Sequence, residues 1–377
     1  MMKKQILLSL LPAVLLTACG AQQSSTAAPA QQATADTAVT AAAVPGLDSQ
    51  AQAILQQATA AYGFEGVITV MRDGKVIAQQ ATGMADPQTG AAATIDSLYC
   101  VGSVSKQFTA AAVLLLQERG QLDVDDTLGA YFPDCPYGEQ VTLRQMLHMR
   151  SGIAEFYESI PDAHNINEIP LGTLRGAVTN SGTKDGNRAA LEEWLLAQPL
   201  NMPPDTDTVY TNSNYFLLAW IVEQVSGMAY EDFLRQNIFE PLHMTHTGFI
   251  DDGLDNPRLA KNAQEAQTVY VGITMGLGDL VTNAADMQRW MASFSGNTLL
   301  SAESIAAMTA DAGVGYGFGV VPVGDGSWFH TGVFTSYKAF DFVDAANGYA
   351  LFAVTNNQAA LRSELSDMCF SITEMLR

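Results

Sequence analysis

The chain has 377 residues, with 39 acidic against 18 basic side chains and a formal net charge of −21 at pH 7. So large an acidic excess makes it a poor nucleic-acid binder and points to a well-solvated surface. Its four cysteines, Cys19, Cys100, Cys135 and Cys369, include no pair at close metal-ligand spacing, so neither a zinc centre nor more than one disulfide among the last three is expected.

At the start, Lys3 and Lys4 precede an apolar run from Ile6 to Leu16. The run is too short for a spanning helix, and its flanks predict an export signal over residues 1–18. It ends in Leu16-Thr17-Ala18-Cys19, similar to the bacterial lipobox, in which the cysteine is lipidated and becomes the new N-terminus. Its removal would take away two lysines and no acid, moving the net charge from −21 to −23. Residues 19–46 carry one charge, Asp36, and no aromatic residue, so they cannot bury a core and read as a flexible tether. The expectation is a globule over residues 47–377, held outside the cytoplasmic membrane by its lipid.

Within the globule, residues 47–62 suit an amphipathic helix. Residues 67–72, Asp73-Gly74 and residues 75–83 read as a hairpin, β-prone runs about a strong two-residue turn. Next comes Ser103-Val104-Ser105-Lys106, opening a helix that continues through good helix formers to Arg119, with Gly120 as its stop. Residues three apart share a helix face, so the Lys106 amine can reach the Ser103 oxygen. A serine hydroxyl needs such a base to become a nucleophile, and a desolvated lysine can be neutral enough to serve. At the helix N-terminus, backbone N–H groups also favour a developing negative charge.

Helical patterns dominate residues 103 to about 270. Tyr210-Thr211-Asn212 precedes an apolar helix over residues 215–225, closed by Gly227; Asn212 or Ser213 could serve only as its cap, and Tyr210 could simply pack. His243 and His246 have no carboxylate or cysteine companion and read as surface or packing residues. From Gly315 the chain turns β-like, with strands over residues 316–323, 327–330, 337–343 and 348–356, then a last helix over 359–376. His330-Thr331-Gly332 closes the second of these strands, where the histidine could be no more than an edge residue before a turn. Strands at both ends with helices between predict an α/β fold, an α+β sandwich. One antiparallel sheet is built from both termini and flanked by the terminal helices, with a mostly helical insertion over about residues 103–285 and the site at their junction.

The three stretches together resemble the penicillin-recognising serine enzymes, in which Ser-x-x-Lys, Tyr-x-Asn and Lys-Thr-Gly or His-Thr-Gly occur in this order. The likeness is to the branch with class C β-lactamases, D-alanyl-D-alanine carboxypeptidases, D-aminopeptidases and related esterases, and it spans roughly residues 50–375. Residues 143–153, 204–215, 239–249 and 276–290 share it. The resemblance implies an acyl-enzyme on Ser103, with Lys106 accepting or relaying its proton. Tyr210 would be a general base whose phenol is shifted down between cationic groups. Asn212 would donate to Lys106 and to the substrate amide, while His330, helped by Thr331 beside Gly332, would lend positive character near a substrate carboxylate. The backbone N–H groups of Ser103 and Val333 would form the oxyanion hole.

Departures from the family pattern bear on the substrate. His330 replaces the more usual lysine, Phe334 would narrow the acyl pocket, and Asp205 replaces a glycine. Arg150 stands where a small hydroxyl residue is usual, either to read an anionic substrate or to pair with an acid. The expected substrate is a small amide or ester, first of all a D-amino-acid peptide related to peptidoglycan. A β-lactam or a carboxylic ester is the alternative substrate, and the alternative of another class is a non-catalytic or slowly acylating penicillin- or peptide-binding surface lipoprotein. No cofactor, metal or nucleic-acid partner is expected.

Overall fold

The computed structural model describes residues 47–156, 182–252, 256–261 and 272–377. The export signal, the tether and Cys19 lie outside the described residues. In chain order come α1 (Ser49–Ala61), β1 (Gly66–Arg72), β2 (Lys75–Thr82), and the short strands β3 (Met84–Asp86), β4 (Ala91–Ala92) and β5 (Tyr99–Cys100). The helical part follows with α2 (Lys106–Glu118), α3 (Leu143–Leu147), α4 (Lys184–Ala197), α5 (Asn212–Ser226) and α6 (Tyr230–Leu234). Short strands β6 (Gly248–Phe249) and β7 (Leu280–Thr282) lead to α7 (Ala284–Gly296) and α8 (Ala302–Thr309). The chain then returns through β8 (Val321–Gly324), β9 (Ser327–Phe334), β10 (Tyr337–Asp344) and β11 (Tyr349–Thr355) to α9 (Arg362–Leu376).

The main sheet has six strands in the order β2-β1-β11-β10-β9-β8, so both chain ends build it as expected. Every pairing in it is antiparallel. The predicted turn joins β1 to β2: Asp73 and Gly74 both have positive φ, 50° and 73°, which a two-residue hairpin turn of the primed type requires. One face of the sheet is covered by α1 and α9, where Leu55, Met368, Cys369 and Ile372 pack on Ile68, Phe340, Phe342 and Leu351. The other face joins a larger core centred on α2, in which every residue from Lys106 to Leu116 except Leu115 is at most 0% exposed.

Several boundaries differ from the sequence reading. The strand expected over 316–323 shrinks to β8, because Gly315 and Gly319 take positive φ of 72° and 73° and bend the segment away from β9. The strand expected to close at His330 instead runs to Phe334, since pairing with β10 continues to Phe334↔Tyr337. His330 is therefore mid-strand and buried, not an edge residue. A small sheet, β5-β7-β6, which the sequence reading did not expect, pairs Tyr99–Cys100 just ahead of the helical insertion with two short strands inside it. Cys100, Cys135 and Cys369 are buried free thiols.

Candidate active site

Three elements meet where α2 begins. A 3₁₀ turn, Gly102–Ser105, leads into α2 and holds Ser103 part-exposed while Lys106 is fully buried. The segment ahead of α5 supplies Tyr210 and Asn212, and β9 supplies the third side. The close approach of β9 depends on two glycines. A Cβ on Gly332 would stand 1.8 Å from the Val101 oxygen and 3.3 Å from the Ser103 nitrogen, and one on Gly102 (φ +52°) would stand 2.6–2.7 Å from the Val333 backbone. No side chain fits at either place, and the fit brings the backbones of Ser103 and Val333 together.

Ser103 Oγ is held from two sides, by Lys106 Nζ at 3.1 Å and by the Tyr210 hydroxyl, which donates to it at 2.7 Å. Lys106 Nζ also donates to Asn212 Oδ1 and to the Leu277 carbonyl, each at 2.7 Å. Asn212 thus accepts from the amine, where a donor to it was expected. Burial drives the lysine down from its ordinary range to about 7, partly opposed by the negative charges of Glu155 and Asp279. Tyr210 departs from expectation in the other direction. Its hydroxyl end is enclosed beside Ser103, and burial pushes the phenol above its ordinary value, so it stays a proton donor. The downward shift would have needed cationic neighbours on both sides.

His330 is not such a cation. It is 3% exposed, and burial together with the Lys106 charge pushes it down to about 3. Its Nδ1 lies 2.6 Å from the Thr331 carbonyl, an acceptor only, so that nitrogen carries the hydrogen and Nε2 accepts from the Tyr316 hydroxyl at 2.9 Å. Both ring nitrogens are spent inside the protein, and the positive character expected of this residue is absent. Thr331 is part-exposed on the strand above it. Phe334 is buried in the core at 4%, while Val333 beside it is 46% exposed, so the bulk expected from Phe334 is not at the site. Arg150 pairs with Asp205 at 3.1 Å and also bonds its carbonyl, holding the positive-φ Asp205 in the turn that leads to Tyr210. The two departures from the family pattern therefore satisfy each other.

Neither Asn212 nor Ser213 caps α5 with its side chain; Thr211 occupies the cap position, also without a side-chain bond. The Asn212 N–H is taken instead by the Glu155 carboxylate, and Ser213 Oγ donates to the Ala154 carbonyl at 2.6 Å. Glu155, Leu277, Asp279 and Tyr316 are the residues that the sequence reading missed. Only Leu277 and Asp279 fall in a stretch that it had marked.

The chain belongs to the beta-lactamase family of serine hydrolases, whose family model matches residues 51–367. Among curated relatives, PbpX of Bacillus subtilis (strain 168) is 28% identical over 288 residues, covering 73% of this chain and 66% of PbpX. Protein flp of Staphylococcus aureus (strain N315) is 26% identical over 238 residues, covering 59% of this chain and 44% of flp. The alignments thus span under two thirds of either relative. Among solved structures, the D-amino acid amidase from Ochrobactrum anthropi SV3 complexed with L-phenylalanine superposes with a TM-score of 0.71 at 21% identity, over 87% of this chain and 97% of that one. The octameric penicillin-binding protein homologue from Pyrococcus abyssi gives 0.69 at 22% identity, over 86% and 77%. These likenesses establish the fold.

Proposed function

We propose that the protein is an exported serine hydrolase, anchored through a lipid on Cys19, that acts through an acyl-enzyme on small amides or esters, with D-amino-acid peptides related to peptidoglycan as the first substrate class. The observation that carries this reading is the shared Ser103 oxygen, 3.1 Å from Lys106 Nζ and 2.7 Å from the Tyr210 hydroxyl. A neutral amine has two N–H bonds and one lone pair. With Asn212 Oδ1 and the Leu277 carbonyl taking the two N–H bonds, the lone pair faces the Ser103 hydroxyl. Lys106 is then the base that accepts the proton as Ser103 Oγ attacks the substrate carbonyl. The new oxyanion lies against the backbone N–H groups of Ser103 and Val333. Tyr210, kept protonated, donates to the departing nitrogen or oxygen and recovers its proton from the Lys106 ammonium through the site they share. Water then cleaves the ester by the reverse path.

With His330 neutral, a substrate carboxylate would face the Thr331 hydroxyl and Arg362, the first residue of α9, whose charge reaches both Tyr210 and His330. Arg362 makes no ion pair among the described residues. The D-amino acid amidase shares this fold, which supports D-amino-acid amides as the first substrates to test. The neutral His330 keeps open a second reading, a peptide binder that acylates slowly. Labelling the purified protein with a fluorescent penicillin and chasing the label separates the cases. Slow loss of a Ser103-dependent label points to a peptidase or binder, and fast loss to a β-lactamase. Turnover of a chromogenic ester without any label points to an esterase, and no label with no turnover of ester or D-amino-acid amide refutes the hydrolase.

A further inference from the structure

Behind the site, a buried carboxyl group joins the two elements that must keep their spacing. Asp341 lies in the middle of β10, opposite His330 on β9, on a stretch whose neighbours Ala339, Phe340, Phe342 and Val343 are apolar and buried. It is 0% exposed and has no cationic partner among the described residues. Its Oδ1 accepts from the His330 backbone N–H at 3.1 Å, and its Oδ2 accepts from Gln107 Nε2 at 2.7 Å. Gln107 is the residue after Lys106 on α2. Its amide orientation is fixed from behind, because the Trp290 indole N–H, which can only donate, reaches Gln107 Oε1 at 2.7 Å. Both groups that face Asp341 are therefore donors, and a carboxylate is the acidic side chain form that satisfies both.

We propose that Asp341, as a carboxylate, is a positioning residue that ties the His330–Val333 segment of β9 to the helix carrying Ser103 and Lys106, and so sets the spacing of the oxyanion site. A buried carboxylate without a countercharge costs stability, and burial pushes this carboxyl up to about 7. An apolar residue would suit the position better if packing were all it did. Protonation adds an O–H for which neither neighbour offers an acceptor, so one of the two links breaks as pH falls through neutrality. The titratable groups on the surrounding elements are His330 on β9, Lys106 on α2, Tyr99 and Cys100 on β5, and Lys338 and Asp344 on β10. On α7, Asp286 and Arg289 pair with each other at 2.8 Å. None of these forms an ion pair with Asp341.

The catalytic half of this proposal rests on the proposed roles of Ser103 and Lys106; the structural half does not. The chain has five histidines, so selective ¹⁵N-histidine labelling gives at most five amide signals. The His330 amide signal should shift with a midpoint near pH 7, keep doing so in Lys106→Met, and lose the transition in Asp341→Leu. With a chromogenic ester, at a temperature where the variant stays folded, Asp341→Leu should lower kcat by about 10- to 100-fold with little change in KM. A His330 amide signal left unchanged by Asp341→Leu at every pH overturns the proposal, as does wild-type kcat in Asp341→Leu or a kcat loss that only tracks a fall in Tm. If no ester or amide is turned over by the wild type, the hydrolase reading fails, and the amide titration still decides whether the link exists.

Discussion

The Lys106 amine sets a pH dependence that can be worked from the structure. Three acceptors surround Nζ, and burial brings it to about 7. About half the molecules then hold a neutral amine at pH 7, about a tenth at pH 6 and about a hundredth at pH 5. If the neutral form is the base, the second-order rate of Ser103 acylation rises about ninefold from pH 5 to 6, about fivefold from pH 6 to 7, and levels above 8. The measurement is stopped-flow acylation by an uncharged chromogenic ester from pH 5 to 10, so that the substrate does not titrate. Lys106→Arg, which keeps a cation but cannot lose its proton, should fall roughly 10²- to 10⁴-fold, the range for a lost general base, and lose the plateau. A flat wild-type profile across pH 5–8, or Lys106→Arg retaining wild-type acylation, would refute the assignment of the base.

The other predictions test neighbouring parts of the site. Tyr210→Phe removes the hydroxyl that donates to Ser103 at 2.7 Å, and single-turnover kinetics should show a loss of about 10²-fold or more in acylation with little change in ester KM. Gly332→Ala drives a Cβ to 1.8 Å from the Val101 oxygen, so thermal unfolding should report at least the roughly 1–3 kcal/mol of overpacking, together with lost acylation. Asp279 is buried, its Oδ1 has no partner among the described residues, and burial pushes it from 3.8 up to about 8. Between those values the native state holds a proton that the unfolded chain has lost, so this group's stabilising contribution is present at low pH and lost as pH rises toward 8. Asp279→Asn should therefore gain on the wild type in urea unfolding at pH 9 far more than at pH 4.

The chemistry that rests on local spacing was legible in the sequence. Ser103 and Lys106 meet because residues three apart on one helical turn must, and the Asp73-Gly74 hairpin forms because that pair tolerates positive φ at both places. The order of the three motifs also brought Tyr210 and Asn212 to the right side of Ser103. What could not be read was the electrical state of those groups, which depends on burial. His330 looked like a half-charged edge residue until β9 proved to run on to Phe334 and to bury it against Tyr316. The downward shift expected of Tyr210 depended on that charge and failed with it. Phe334 and Val333 exchanged roles because extending a strand by four residues fixes which side chain faces the core. The Leu277 carbonyl, which occupies one of the lysine's hydrogens, is a backbone atom, and no residue type at that position could have revealed it.

The central claim is that Ser103 carries the acyl group. Intact-mass measurement after incubation with a fluorescent penicillin and with a D-amino-acid aryl ester, followed by peptide mapping, tests it directly. The account predicts a single adduct on the Ser103–Lys106 segment in the wild type and none in Ser103→Ala. An adduct elsewhere, or Ser103→Ala hydrolysing the same ester at the wild-type rate, would contradict it.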